Sequence, residues 1–253
     1  MNRNESFSPL DVSSIEIRLT YPSLDVLVDD TDTVQILIAG DENSAGDLKV
    51  SLENGCLQVD QPAKGIAYKI TQPIWLQITV RIPRSWEGGI DLSTVSGRLT
   101  AQGLRGTDIF LESASGDLLV NHITGTNIKL VTVSGNVDAT DTSADICVIR
   151  AVSGDVRITD GSASHWKLTA VSGDITIDMS NPFEKLGASS VSGNVRVTVP
   201  MSDVDAYIRS VTGRIRTRDI SITENAPKVS LTTVSGDLDI RSINAVNITP
   251  ADY

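Results

Sequence analysis

The sequence predicts an all-β protein, a parallel β-solenoid of about eight rungs of 19–20 residues with a β cap at its N-terminal end. Three observations lead there. A short phrase recurs eight times along the chain, its spacing is nearly constant, and the residues on either side of it alternate between apolar and polar.

The phrase reads TVSGRLT around Gly97, SASGDLL around Gly116, TVSGNVD around Gly135 and AVSGDVR around Gly154. It returns as AVSGDIT around Gly173, SVSGNVR around Gly193, SVTGRIR around Gly213 and TVSGDLD around Gly236. Successive glycines are 19, 19, 19, 19, 20, 20 and 23 residues apart, a regularity that marks a repeat architecture. Two and four positions after each glycine lie mostly apolar residues, such as Val156 and Ile158 or Ile175 and Ile177. That is the period of a strand with one buried face. Five and seven positions before the glycines stand Leu92 and Ile90, Leu111 and Ile109, Ile149 and Cys147, Leu168 and Trp166, which make a second such strand. Each repeat is therefore two short strands. The small-Val-Ser-Gly phrase forms one bend, where glycine can take a positive φ, and a polar stretch such as TDGSASH at 159–165 forms the other.

Equivalent positions carry the same residue type down the array, with valine or alanine two before each glycine and serine or threonine just before it. Such columns arise when equivalent residues stack on successive rungs about 4.8 Å apart, and an antiparallel meander has no need of them. Eight rungs at that spacing make a rod of about 40 Å.

The first 90 residues lack the phrase yet remain strand-rich, as in SIEIRLT, LDVLV, TVQILIA and WLQITVRI, and LKVSLENGCLQV reads as a hairpin with Asn54-Gly55 near its turn. A solenoid leaves an open end that must be covered. The expected division is a disordered N-terminus at 1–13, a β-rich cap or irregular first rungs at 14–89, and solenoid repeats at 90–249, all but the first in one folded body. Pro83, Gly88 and Gly89 mark the boundary, and INAVNITPADY is expected to finish the last rung before Pro250 stops the pairing. Trp166 takes an inward position, while Trp75 and Trp86 flank the junction and are placed to staple the first rung.

An array of SGD, SGN or SGR phrases at this spacing, preceded by an alternating segment ending in Val80-Arg81-Ile82-Pro83, resembles the bacterial repeat-domain family of unknown function catalogued as "putative adhesin". The resemblance covers about residues 14–248. It implies a right-handed β-helix, no established enzymatic activity, and settings in the cell envelope and stress response.

Composition excludes several functions. With 21 Lys+Arg against 32 Asp+Glu, the net charge of −11 opposes nucleic acid and acidic membrane surfaces, which need clustered cations. Aromatic residues make up 4% of the chain, too few for a stacking platform. The start, MNRNESFSPLDVSS, is polar where a secretory signal is apolar, and no apolar run reaches about 18 residues. The chain is thus expected to be soluble and cytoplasmic, with no transmembrane segment. Cys56 and Cys147, 91 positions apart, read as small buried hydrophobes, and His122 and His165 stand apart from any metal-ligand spacing, so no cofactor is expected.

The residue after each glycine faces outward: Arg98, Asp117, Asn136, Asp155, Asp174, Asn194, Arg214 and Asp237. Asp155 and Asp174 should be neighbours across rungs, with Asp178 further along the same strand as Asp174. These three are the candidate binding residues, for Ca²⁺ or another ligand, against a structural reading in which Asp and Asn bond nearby backbone at the turn. The favoured function is a non-enzymatic binding scaffold for a protein, peptide or envelope component. The alternatives are a carbohydrate-active β-helix enzyme using Asp155 and Asp174, and a protein that self-assembles through a solenoid end. Three longer bends, 179–185, 199–205 and 219–228, read as tolerated insertions where a partner site would be sought first.

Overall fold

The computed structural model, which describes residues 2–41, 45, 47–61 and 75–243, holds twenty-one strands among those residues. The first nine are β1 (Asn2–Phe7), β2 (Ser14–Leu19), β3 (Ser23–Asp29), β4 (Val34–Gly40), β5 (Lys49–Glu53), β6 (Cys56–Asp60), β7 (Leu76–Pro83), β8 (Gly89–Thr94) and β9 (Leu99–Gln102). Strand β2 lies in parallel between β6 and β8, and β3 in parallel between β7 and β9. Leu19 pairs with Thr94 and Leu24 with Leu99, so Pro22 occupies the place of Gly97. Residues 14–29 are thus a complete turn of the coil that no glycine announces.

Beyond it lies one more turn, β6 with β7, and its outer edges are covered by antiparallel strands, β5 on β6 and β4 on β7. The β5–β6 hairpin closes through Asn54 and Gly55, both at positive φ (50° and 80°), as a two-residue turn requires. Residues 1–13 do not match the disorder expected of them. Asn2–Phe7 forms β1, paired antiparallel with β4 from Asn2↔Ala39 to Phe7↔Val34. Strand β4 would otherwise expose a row of unpaired backbone groups. The polar strand is fixed there by an Arg3–Glu5 ion pair and by a 3.0 Å hydrogen bond from Arg3 Nη1 to the Leu48 carbonyl, while Phe7 packs on the core. Of the two tryptophans at the junction only Trp86 staples it. Its ring is buried and its Nε1 donates to the Val12 carbonyl at 2.6 Å, whereas Trp75 is 60% exposed.

The repeats continue as β10 (Arg105–Ser113), β11 (Leu118–Thr132), β12 (Val137–Ser153), β13 (Val156–Ser172), β14 (Ile175–Met179), β15 (Lys185–Ser192) and β16 (Val195–Val199). From β10 to β16 the strands pair in parallel at an offset of one repeat, as in Ile109↔Ile128 and Val137↔Val156, the arrangement of a solenoid and not of an antiparallel meander. The polar bend expected between short strands is instead crossed by continuous strands in β11, β12 and β13. Single left-handed residues, His122 (φ 57°), Asp141 (φ 50°) and Asp160 (φ 54°), turn the chain while pairing is kept on both sides.

Alternation places five columns inside, at seven, five and three residues before the glycine and at two and four after it. One runs Ile90, Ile109, Ile128, Cys147, Trp166 and Leu186, all at most 3% exposed. Close packing there matches a large ring with small neighbours, since Trp166 sits beside Cys147 and against Gly161, where an added Cβ would lie 2.9 Å from the indole. Cys56, in contrast to Cys147, is only half-buried and faces Glu16.

The C-terminal turns depart from sequence order. They comprise β17 (Asp203–Ser210), β18 (Ile215–Arg218), β19 (Ser221–Ile222), β20 (Lys228–Ser235) and β21 (Leu238–Ser242). Strand β15 pairs with β20 and β16 with β21, while β17 and β18 pair on the far sides of β20 and β21. The turn bearing Gly236 is therefore inserted between those bearing Gly193 and Gly213. Segments 199–205 and 219–228, read from sequence as tolerated insertions, are the connections that skip one turn outward and come back. The N-terminal end repeats the manoeuvre, because β2–β3 is written first yet lies inside β6–β7. The expected finish of the last rung at 244–253 lies outside the described residues.

Candidate functional site

The repeated phrase builds one outer corner of the coil. An added Cβ on any of the eight glycines would lie 1.6–2.3 Å from a backbone oxygen of the turn below, Pro22 beneath Gly97 and a glycine beneath each of the others. Close approach between turns leaves no room for a side chain at any of the eight, and at Gly154, Gly173 and Gly236 a φ of 155–159°, which other residues rarely adopt, requires glycine as well.

Beside the glycines runs a hydrogen-bonded ladder. Asp117 Oδ1 accepts the backbone N–H of Asn136, Asn136 Oδ1 that of Asp155, and Asp155 Oδ1 that of Asp174, each at 2.9 Å. Asp174 Oδ1 accepts from Asn194 N at 2.8 Å, Asn194 Oδ1 from Asp237 N at 2.9 Å, and Asp237 Oδ1 from Arg214 N at 2.9 Å. The inserted turn thus takes its spatial place in the ladder. The side chains bond nearby backbone, as the structural reading has it, and that backbone belongs to the next turn of the coil. Arg98 and Arg214, which have no acceptor to offer, stand at the two ends.

This arrangement decides the fate of the candidate residues. Asp155 and Asp174 are neighbours as expected, but Asp174 is fully engaged. Asn194 Nδ2 donates to both of its oxygens at 3.1 Å and Arg196 Nη1 to Oδ2 at 3.2 Å. Burial pushes its pKa upward, yet the bonds from Asn194 and the Arg196 charge outweigh that and hold it below the ordinary carboxylate value. Asp178 is not brought to that pair. It lines a shallow groove on the adjoining sheet face with Thr176, Arg196, Thr198, Asp239 and Arg241. Asp239 Oδ2 there accepts from Arg218 Nη2 at 3.2 Å, and Arg241 Nε donates to Thr198 at 3.1 Å. Among the described residues no three His, Cys, Asp or Glu side chains gather as metal ligands. Both histidines face carboxylates, His122 at Asp141 and His165 at Glu184, the latter at 3.5 Å.

A second column on the corner carries more surface chemistry. Val95, Val133, Val152, Val171, Val191, Val234 and Val211 are 43–62% exposed, with half-buried Ala114 completing the line. Sequence similarity alone suggested that these residues pack on their own kind. They do stack, but on the outside, as an apolar ridge along the rod. Parity was the signal: inward residues stand three, five and seven before the glycine, so the residue two before it belongs to the outer face.

A family model described as Toastrack DUF4097 matches residues 12–241. The chain belongs to that family. The match reaches from the turn marked by Pro22 to the inserted β21, so both rearranged ends of the coil lie within the Toastrack unit. Three solved structures are similar to this Toastrack chain over nearly its whole length. A "putative adhesin" from Parabacteroides merdae has 14% identity and a TM-score of 0.63, with 96% of this chain and 95% of that one covered. A "putative lipid binding protein" from Parabacteroides distasonis has 19% identity and a TM-score of 0.60, with 94% and 96% covered. A "putative adhesin" from Bacteroides fragilis has 18% identity and a TM-score of 0.57, with 96% and 97% covered. At such identities the likeness establishes the fold alone. No match is found among curated proteins.

In this Toastrack coil the repeated carboxylates are committed to holding turns together, and the feature left facing outward along most of the length is the valine ridge. No helix among the described residues is long and apolar enough to cross a membrane.

Proposed function

We propose that the protein is a non-enzymatic binding scaffold of the adhesin-like kind, which docks a protein, peptide or envelope component along its coil in a cell-envelope or stress-response setting. The valine ridge carries this reading. A continuous exposed apolar strip marks an interaction surface far more often than isolated exposed residues do. Each half-exposed valine offers about 1 kcal/mol of burial on contact. The description of two structural neighbours as adhesins supports the same class of function. The engagement of Asp174 argues against the carbohydrate-active alternative, because an acid–base pair needs carboxylates free to exchange protons with a substrate.

The test is binding of the purified protein to bacterial envelope fractions, compared with a V133K/V152K/V171K variant. The three sites are 43–45% exposed, so the variant should keep its circular dichroism spectrum and melting temperature. Binding should weaken about 10-fold or more, as loss of several apolar contacts implies. Equal binding by the two proteins removes the ridge from the account. Turnover of any polysaccharide would favour the enzyme instead.

A further inference from the structure

The two ends of the coil are finished differently. At the N-terminal end antiparallel strands cover the last turn, with the polar β1 outermost. At the other end the last turn in space is β17–β18, and its inward positions have no layer above them among the described residues. Ile215 pairs with Leu238, which is 1% exposed, yet is itself 48% exposed. Ile208 pairs with Leu231, which is 0% exposed, yet is only half-buried. The outer edge of β17 meets β19 at Asp203 and Val204 alone, so from Asp205 to Ser210 it carries no strand partner among the described residues.

We infer that this edge is a two-fold pairing site for a second copy of the chain. Antiparallel pairing of β17 with itself about Tyr207 sets Asp205 opposite the partner's Arg209 and Ala206 opposite the partner's Ile208. The edge is self-complementary in charge. Asp205 and Arg209 point to the same face at opposite ends of the free segment, and neither has an ion pair within its own chain among the described residues. Tyr207, 58% exposed between them, meets its own symmetry mate on the axis. The inward residues meanwhile gain the missing layer, and the two coils become one continuous core. Opposite charges directly across an antiparallel pair stabilise it, whereas like charges there oppose it. A two-fold interface asks only that a surface match itself. So short an edge implies a weak, concentration-dependent dimer.

Sedimentation velocity over a concentration series up to the high micromolar range tests this. The wild type should pass from monomer to dimer. Asp205→Arg and Arg209→Asp should each dimerise about 10-fold more weakly or worse, because each places two like-charge pairs at the interface. An equimolar mixture of the two variants should recover the dimer, since every facing pair is again opposite in charge. That recovery also shows that both variants fold. A wild type that stays monomeric throughout overturns the inference. A dimer that tolerates either single substitution, or a mixture that fails to recover, overturns it equally.

Discussion

Asp155 Oδ1 accepts the backbone N–H of Asp174, one turn further along the coil, at 2.9 Å. Replacing Asp155 by alanine should lower stability by about 0.5–1.5 kcal/mol, the usual worth of one such bond. Asparagine keeps the acceptor oxygen, as Asn136 and Asn194 do in the same ladder, and should cost far less. Urea midpoints of the two variants measure the difference. Equal losses would show that the negative charge matters and not the bond.

Acid should weaken the fold through Asp174. Its folded pKa lies below the unfolded value, so its contribution is fully present above the unfolded pKa and disappears as pH falls through the folded one. Asp91 works in the opposite sense. Burial first and then the Glu16 charge raise its pKa, so its ionised form costs stability at neutral pH and the cost is relieved as pH falls through the raised value. Asp91→Asn should therefore stabilise at pH 7 and lose that advantage on acidification. Thermal melts from neutral to acidic pH, with and without each substitution, will show both slopes.

Glycine-to-alanine changes should separate the corner from the flat sheet. At Gly154 the new methyl would lie 2.0 Å from the Gly135 carbonyl oxygen, and a loss of about 3 kcal/mol or more is expected. At Gly187 the nearest atom is the Trp166 carbonyl oxygen at 3.8 Å. There alanine should be neutral, or stabilise by up to about 1 kcal/mol, through lower unfolded-state entropy. Denaturant titration of the pair provides the comparison, and a tolerated Gly154→Ala would refute the close-approach account of the phrase.

The inserted turn makes its own prediction. Leu238 lies between two turns and is 1% exposed, whereas Ile215 on the outermost turn is 48% exposed. Leu238→Ala should cost about 2–5 kcal/mol and Ile215→Ala about 1 kcal/mol or less. Stacking in sequence order would reverse the ranking.

The two thiols should behave differently. Cys147 is fully buried, and burial pushes its pKa far up, so it should resist a thiol reagent until the fold opens. Cys56 is half-buried and should be labelled first. Labelling followed by mass spectrometry identifies the order, and prompt reaction at Cys147 would mean that the core opens locally.

Much of the coil was legible because period and phrase agree. The apolar positions around Gly154 and Gly173 define two strands, and the constant 19-residue step forces their parallel stacking. The turn of β2 and β3 was hidden because Pro22 offers the same bare backbone oxygen as a glycine without sharing its letter. Turn order was hidden for another reason. Gly193, Gly213 and Gly236 carry equivalent phrases, so any of them could be stacked on any other, and only the 23-residue interval hinted at a detour. Asp174 was located correctly, but its locking needed Asn194 and Arg196 from the adjacent turn, and no spacing rule reveals how three side chains share their lone pairs.

Because the turn written last is not the turn placed last, a repeat added directly after β21 or before β2 could not stack on its neighbour in sequence. A unit added after β21 would find both edges of its predecessor already occupied, and one added before β2 would meet the same obstruction. Duplication or loss of repeats is therefore accommodated without a further crossing in the middle, between Gly97 and Gly193, where neighbours in sequence are also neighbours in space. Relatives of different length should vary there in whole steps of about 19 residues, while the two crossed ends stay constant in size.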